Sequence, residues 1–437
     1  MKLVKTRLII MNYLIFSVWG AYLCSIGIYL FKVGMVDHIG SFFAVQGIVS
    51  LFMPALMGII ADRWVPAQKL LSICQILSAI FMGLAGYMGM KNGDKVTFSQ
   101  IFPYYFISVG FYMPSLSLGN SVSYHCLTEA GLDTVKSFPP IRVFGTVGFI
   151  ISMWIVDLTG AKNNYIQLYI SAGLSVVLAI YALTLPNCRV NKKDGEEKKK
   201  TSFVEAFGLR AFTLFKQRNM CIFFIFSFLL GMCLQITNGF CSTYLEQFGN
   251  SPVYKDTFAV RNSVILTSIS QISETLCILL IPFFLKRFGI KKVMTIAFAA
   301  WGIRFIFLGL GYPTGFGLVL LVASMIVYGV AFDFYNISGS LFVEESTEED
   351  IRSSAQGVFM MMTNGFGATI GSWSAQAIVN AFTKGKEANF DEYMKGWSNS
   401  WYVFGSFAIV VGILFVCLFR YQHNPQKEDE KTKKIEI

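Results

Sequence analysis

The sequence predicts an all-α membrane protein with twelve transmembrane helices in two six-helix bundles. Three observations carry this expectation. Hydrophobic residues make up 54% of the chain and charged residues only 14%, where a soluble domain carries about a quarter charged. The apolar residues gather in runs of roughly 20, the length that crosses a bilayer as a helix. The runs fall six on either side of one central basic stretch.

Taken in order, the spans lie near 8–30, 41–61, 69–90, 100–124, 139–159 and 165–186, then near 219–244, 262–285, 291–311, 315–340, 352–382 and 399–420. Lys2, Lys5 and Arg7 lead into an apolar run too long for a signal peptide, so the first span is expected to be retained. The stretch 187–218 holds Arg189, Lys192, Lys193, Lys198, Lys199, Lys200, Arg210, Lys216 and Arg218 and is too polar to span. The expected organisation is a first bundle over 1–186, a basic linker over 187–218, a second bundle over 219–421 and a solvated tail over 422–437. An even number of spans puts both termini on one side, and their lysines place that side in the cytoplasm. The short loop carrying Lys286, Arg287, Lys291 and Lys292 falls on the same side. Aromatic residues at 16%, with 42 phenylalanines, suit lipid-facing surfaces and interfacial belts.

The formal charge of +10 is concentrated beside the spans, a membrane-topology pattern and not a nucleic-acid footprint. The nine cysteines are scattered without a C-x-x-C pair and read as buried free thiols. His38, His125 and His423 lie too far apart to suggest a metal centre, and there is no G-x-x-x-x-G-K-[ST] nucleotide motif. The stretch Gly58-Ile59-Ile60-Ala61-Asp62-Arg63-Trp64 after the second span is echoed by Phe284-Leu285-Lys286-Arg287-Phe288-Gly289 after the eighth. Such an echo is what duplicated halves would show, although any short inner loop gathers Arg and Lys.

An ionisable group inside a span costs several kcal/mol unless it faces protein or a water-filled cavity. Arg142, Glu274, Arg304 and Asp333 are such groups. Helical spacing puts Arg142, Thr146 and Phe149 on one face, at i, i+4 and i+7. They offer a forked cation, a hydroxyl and an aromatic plate. Gln235 with Asn238, Gln271 with Glu274, and Asp333 with Asn336 each stand at i, i+3. Amides donate and accept at once, as a nucleobase edge or a sugar hydroxyl requires, and a ring can stack on a planar base for about 1–3 kcal/mol. The set suits a neutral, partly planar ligand rich in hydrogen-bonding groups. Competing readings are that Gln235 and Asn238 tie helices together, that Arg142 snorkels to the surface, that Phe149 is core packing, and that Arg304 is structural or interfacial. Glu274 and Asp333 resist a purely structural reading, because a buried acid can take a proton on one side and release it on the other. A neutral solute carried with one proton moves one charge, about 2.3 kcal/mol per 100 mV, enough for about 50-fold accumulation. The acidic runs Glu344-Glu345 and Glu348-Glu349-Asp350 read as a solvated loop, with a gate salt bridge as the sharper alternative.

These stretches resemble the nucleoside:proton symporter family of the major facilitator superfamily. The likeness covers nearly the whole chain and is densest over 53–64, 138–150, 234–238, 268–275, 324–339 and 361–367. It implies a major facilitator fold, two bundles rocking about a central site, and proton-driven uptake of nucleosides such as uridine and adenosine across a bacterial inner membrane by a monomer. No cofactor is implied beyond the proton as coupling ion. It further implies that Arg142, Thr146, Phe149, Gln235 and Asn238 surround the substrate base, that Gln271, Glu274 and Tyr328 lie nearer the ribose, and that Asp333 couples the proton with Glu274. Gly58, Asp62 and Arg63 match part of the superfamily's inner-loop gating motif, whose glycine-and-basic ending is absent after Trp64. Two other functions remain open from the residues themselves. A proton-coupled sugar symporter would need the aromatic and Arg face of the fifth span less, and a non-transporting sensor would usually carry a large soluble domain. An enzyme is disfavoured, since no nucleophile, metal cluster or cofactor motif accompanies the acids.

Overall fold

The computed structural model describes residues 2–188, 209–348 and 351–421, and all regular structure among them is helical. The expected linker falls for the most part, and the expected tail entirely, outside the described residues. Nine helical stretches are long and apolar enough to cross a membrane among the described residues. One of them, Ser263–Leu310, is two spans: Gly289 breaks it with φ 75° and ψ 163°, a left-handed backbone that only glycine adopts cheaply. Two further spans are helices interrupted partway, and they bring the architecture to the twelve the sequence predicts.

The interruptions follow local chemistry. The fourth span runs Phe98–Tyr112 and then Pro114–Glu129, because Pro114 has no N–H to continue the ladder. Thr97 opens it with a reciprocal capping box to Gln100. The second span divides into Ile39–Ser50 and Met53–Arg63 just ahead of Pro54. The first runs Lys2–Gly20 and Ile26–Lys32, with turn-like backbone between. The eleventh joins Arg352–Met360 to Ala368–Thr383 through a π-helical turn at Met361–Gly367, a form that recurs at functional sites. The uninterrupted spans are Ala67–Asn92, Thr134–Leu158, Ile166–Thr184, Arg218–Gln247, Gly315–Ser346 and Phe390–Leu418.

Within each half short connections alternate the direction of the spans, so an even number of spans returns each half to the end where it starts, here the terminal end. Opposite it lies the far end. The two halves pack together mainly towards the far end. There Ile39–Ser50 lies along the eleventh span, Ile26–Lys32 against the seventh, and the fifth span against the eighth. At the terminal end Met53–Arg63 and Pro114–Glu129 pack within the first half, and Gly315–Ser346 packs on Arg352–Met360 within the second. Exposed Ile, Leu, Val and Phe side chains ring the outside, as lipid-facing surfaces require.

Candidate functional site

The acids are placed by close packing of the eighth span on the tenth. A side chain at Gly329 would meet the Ser273 carbonyl oxygen at 2.5 Å, so its absence lets the two backbones touch. The Ser273 hydroxyl donates to the Ile326 carbonyl in the same contact. This seam sets half-buried Glu274 near buried Asp333, which is 3% exposed and whose Oδ2 has no hydrogen-bond partner. The two carboxyls interact electrostatically. Glu274 also interacts with Arg142 of the opposite half and with the Tyr328 hydroxyl. Among the described residues none of these charges has an ion-pair partner within the 4.0 Å that defines one.

On the first half, the Arg142 guanidinium lies 3.7 Å from the Phe16 ring centroid, a cation–π contact made in place of snorkelling. Thr146 is half-buried one turn on, and Phe149 is buried edge-on to Trp19 at 5.9 Å. Phe149 is therefore held by the first span, which also supplies Phe16 and Trp19 to this wall. On the second half, Gln235 is buried with its Oε1 unpartnered. A small cavity of about 20 Å³ lies where the halves meet, lined by Cys24 of the first half and by Asn238, Gln271, Ser270, Arg304 and Tyr328 among others of the second. That is room for about one water. A second recess, of about 300 Å³, opens between the tenth and eleventh spans and includes Asn336 and Gln356. Asp333 sits along the tenth span between Tyr328 of the cavity and Asn336 of the recess.

The far end is closed by charge. Lys162, in the turn between the fifth and sixth spans, is 3% exposed. Its ammonium lies 2.8 Å from Asp157 and 2.6 Å from Glu246 of the seventh span. It also donates to the Val260 and Arg261 carbonyls at 3.3 and 2.6 Å and to the Ser263 hydroxyl at 3.2 Å. Asp157 accepts the Ile265 N–H at 2.8 Å, and Glu246 accepts the Ser263 hydroxyl at 2.7 Å. Nearby, Trp154 donates to Ser268 at 2.8 Å, again across the halves. At the opposite end Glu344 pairs with Arg352 at 2.9 Å inside the second half, while Glu349 and Asp350 lie outside the described residues.

Of the residues singled out in the sequence, Asn238, Gln271 and Tyr328 line the cavity, and Arg142, Glu274, Tyr328 and Asp333 form one electrostatic group. Thr146, Phe149 and Gln235 are not among its lining residues. Gly58 lies mid-helix in Met53–Arg63 with open space around it; the side chains of Asp62 and Arg63 fall outside the described residues. Sequence reasoning missed the Lys162 cluster. Asp157 was the available signal, being an acid at the end of an apolar run like those that flagged Glu274 and Asp333. Arg304, expected to be structural or interfacial, is fully buried on the cavity wall and bonded to the seventh, eighth and tenth spans.

Two helical bundles around a seam cavity, with charges that only a cavity or protein can tolerate, define a secondary transporter of the membrane. The sequence model of the family described as "Nucleoside H+ symporter" matches residues 1–424. The chain belongs to the nucleoside H+ symporter family, and it is a transporter and not an enzyme. It is 44% identical to the nucleoside permease NupG of Escherichia coli (strain K12) over 421 residues, 96% of each chain. It is 42% identical to the xanthosine permease of the same organism over 426 residues, 97% of this chain and 98% of that one. The crystal structure of the nucleoside transporter NupG superposes with a TM-score of 0.85, covering 96% of this chain and all of that one. The fold is that of the major facilitator superfamily.

Proposed function

We propose that this transporter carries nucleosides such as uridine and adenosine into a bacterial cell, each with a proton, as a monomer of the cytoplasmic membrane with both termini inside. The observation that carries this reading is the pair of carboxyls, Glu274 and Asp333, set without ion-pair partners beside a cavity walled by amides, a hydroxylated ring and a cation. An aqueous ligand entering that cavity replaces water with amide and ring contacts, which suits a flat base joined to a sugar. In this reading Arg142, Thr146, Phe149, Gln235 and Asn238 hold the base, and Gln271, Glu274 and Tyr328 hold the ribose. Asp333 and Glu274 exchange the proton, and Gly58, Asp62 and Arg63 belong to the inner gate. The functional units are then residues 1–186 and 219–421, joined by the linker 187–218 and followed by the tail 422–437. With the termini inside, the sealed far end faces out and the recess at Asn336 faces in, so the structure corresponds to an inward-facing stage of alternating access.

Uptake of radiolabelled uridine and adenosine into proteoliposomes tests this. An acidic exterior should drive accumulation, a protonophore should abolish it, and each unlabelled nucleoside should compete with the other. Uptake indifferent to the gradient removes proton coupling; competition by sugars but not by nucleosides assigns the site to a sugar.

A further inference from the structure

Arg304 of the ninth span is 0% exposed, yet its hydrogen-bond partners among the described residues are all neutral. Its Nη1 donates to the Ser324 carbonyl at 2.5 Å and to the Ser270 hydroxyl at 3.4 Å. Its Nε donates to the Thr237 hydroxyl at 3.4 Å. Its Nη2 meets only the Met325 sulfur, at 3.9 Å, a weak acceptor. The guanidinium carbon lies 4.8 Å from the centroid of the Tyr328 ring. A buried charge left without a carboxylate is costly, and one side chain here links the seventh, eighth and tenth spans around the cavity it lines. The N–H groups of Nη2 are therefore the least satisfied donors of a rigid fork on the cavity wall, beside Gln271 and Tyr328.

We propose that Arg304 determines specificity for the sugar: it presents the N–H groups of Nη2 to the 2′ and 3′ hydroxyls of the ribose and holds Tyr328 in place against them. A planar guanidinium matches two neighbouring oxygens in a way that an ammonium does not. This rests on the reading that the cavity takes a nucleoside with Gln271 and Tyr328 towards its sugar.

The test is competition against labelled uridine by adenosine, 2′-deoxyadenosine and 2′,3′-dideoxyadenosine, with transporter amount normalised in the membrane. In the unaltered protein the dideoxy compound should compete about tenfold less well than adenosine, the effect of about one good hydrogen bond. Arg304→Gln should raise the KM for uridine about tenfold and bring the three competitors to within about twofold of one another. Arg304→Lys should retain transport with an intermediate ratio, because it keeps the charge and loses the fork. Unaltered protein that accepts the dideoxy compound as well as adenosine overturns the proposal without any variant. So does an Arg304→Gln or Arg304→Lys protein that weakens all competitors by one common factor, since that is the mark of a structural role. Failure of all three to compete, with no uridine uptake, instead removes the nucleoside reading itself, and this inference with it.

Discussion

Two groups of buried charge lie in this molecule, and they are built in opposite ways. At the far end Lys162, Asp157 and Glu246 compensate one another within 2.8 Å, and main-chain groups and Ser263 add further hydrogen bonds. At the centre Arg142, Glu274, Asp333 and Arg304 sense one another's field or that of Tyr328, but none is in an ion pair. The first group has its charges compensated within the protein. The second lacks such compensation, and under the proposed function its partners are a proton for a carboxyl and a polar solute for amides and a cation. Compensation within the protein marks a contact that holds a conformation, while its lack marks a place where something comes and goes.

The largest effect expected from breaking this contrast is at the far end. Lys162→Met leaves buried Asp157 and half-buried Glu246 without their cation, which costs about 3–5 kcal/mol. The cost is avoided if the halves part and water enters, so the far end should open. Spin labels on Asn163 and Lys255, one on each half, should then report longer distances in detergent, and the melting temperature should fall. Neutralising all three groups together, as Asp157→Asn with Lys162→Met and Glu246→Gln, should recover most of the stability, because no charge is then stranded. An unchanged distance distribution in Lys162→Met would show that the cluster does not hold the seam.

Next in size is the central pair. Asp333→Asn or Glu274→Gln removes a carboxyl able to carry a proton, and uphill transport loses the roughly 2.3 kcal/mol per 100 mV that one charge supplies. The accumulation ratio should fall from about 50 at 100 mV towards 1, while exchange of labelled for unlabelled uridine at equal concentrations continues. The ratio of internal to external label at steady state, at matched pH gradients, measures this. Full accumulation by both variants would show that neither acid couples. Because Asp333 is the more deeply buried, with one oxygen unpartnered, its variant should show the larger loss.

How far the sequence revealed this depends on whether a feature is local. Apolar length places the spans, and Pro114 and Gly289 mark breaks that a reader of residues can anticipate. Glu274 and Asp333 stand out because an acid within an apolar run contradicts its surroundings. Lys162 does not: it lies between the fifth and sixth spans, where a lysine reads as solvated, and only the approach of Glu246 and the 260–265 segment from the other half buries it. Arg304 is likewise ambiguous until the seventh, eighth and tenth spans close around it. The π-helical turn at Met361–Gly367 has no periodic signature at all; it arises where the eleventh span packs against both the second and the seventh. What was hidden is in each case a relation between the halves or between distant spans, which hydropathy along one chain does not encode.

The smallest effect sharpens the contrast best, because it involves the same segment as the largest. Arg261 lends its main-chain carbonyl to the buried Lys162 cluster, while its side chain pairs with Asp256 at 2.5 Å, 65% exposed to solvent. An exposed pair is screened by water and salt and contributes about 0–1 kcal/mol. Arg261→Ala removes that pair and leaves the carbonyl where it is. Its melting temperature should therefore stay close to that of the unaltered protein, uridine uptake should remain within about twofold, and raising the salt should narrow what difference there is. A loss approaching that of Lys162→Met would mean that the loop as a whole, and not its buried compensation, keeps the far end shut.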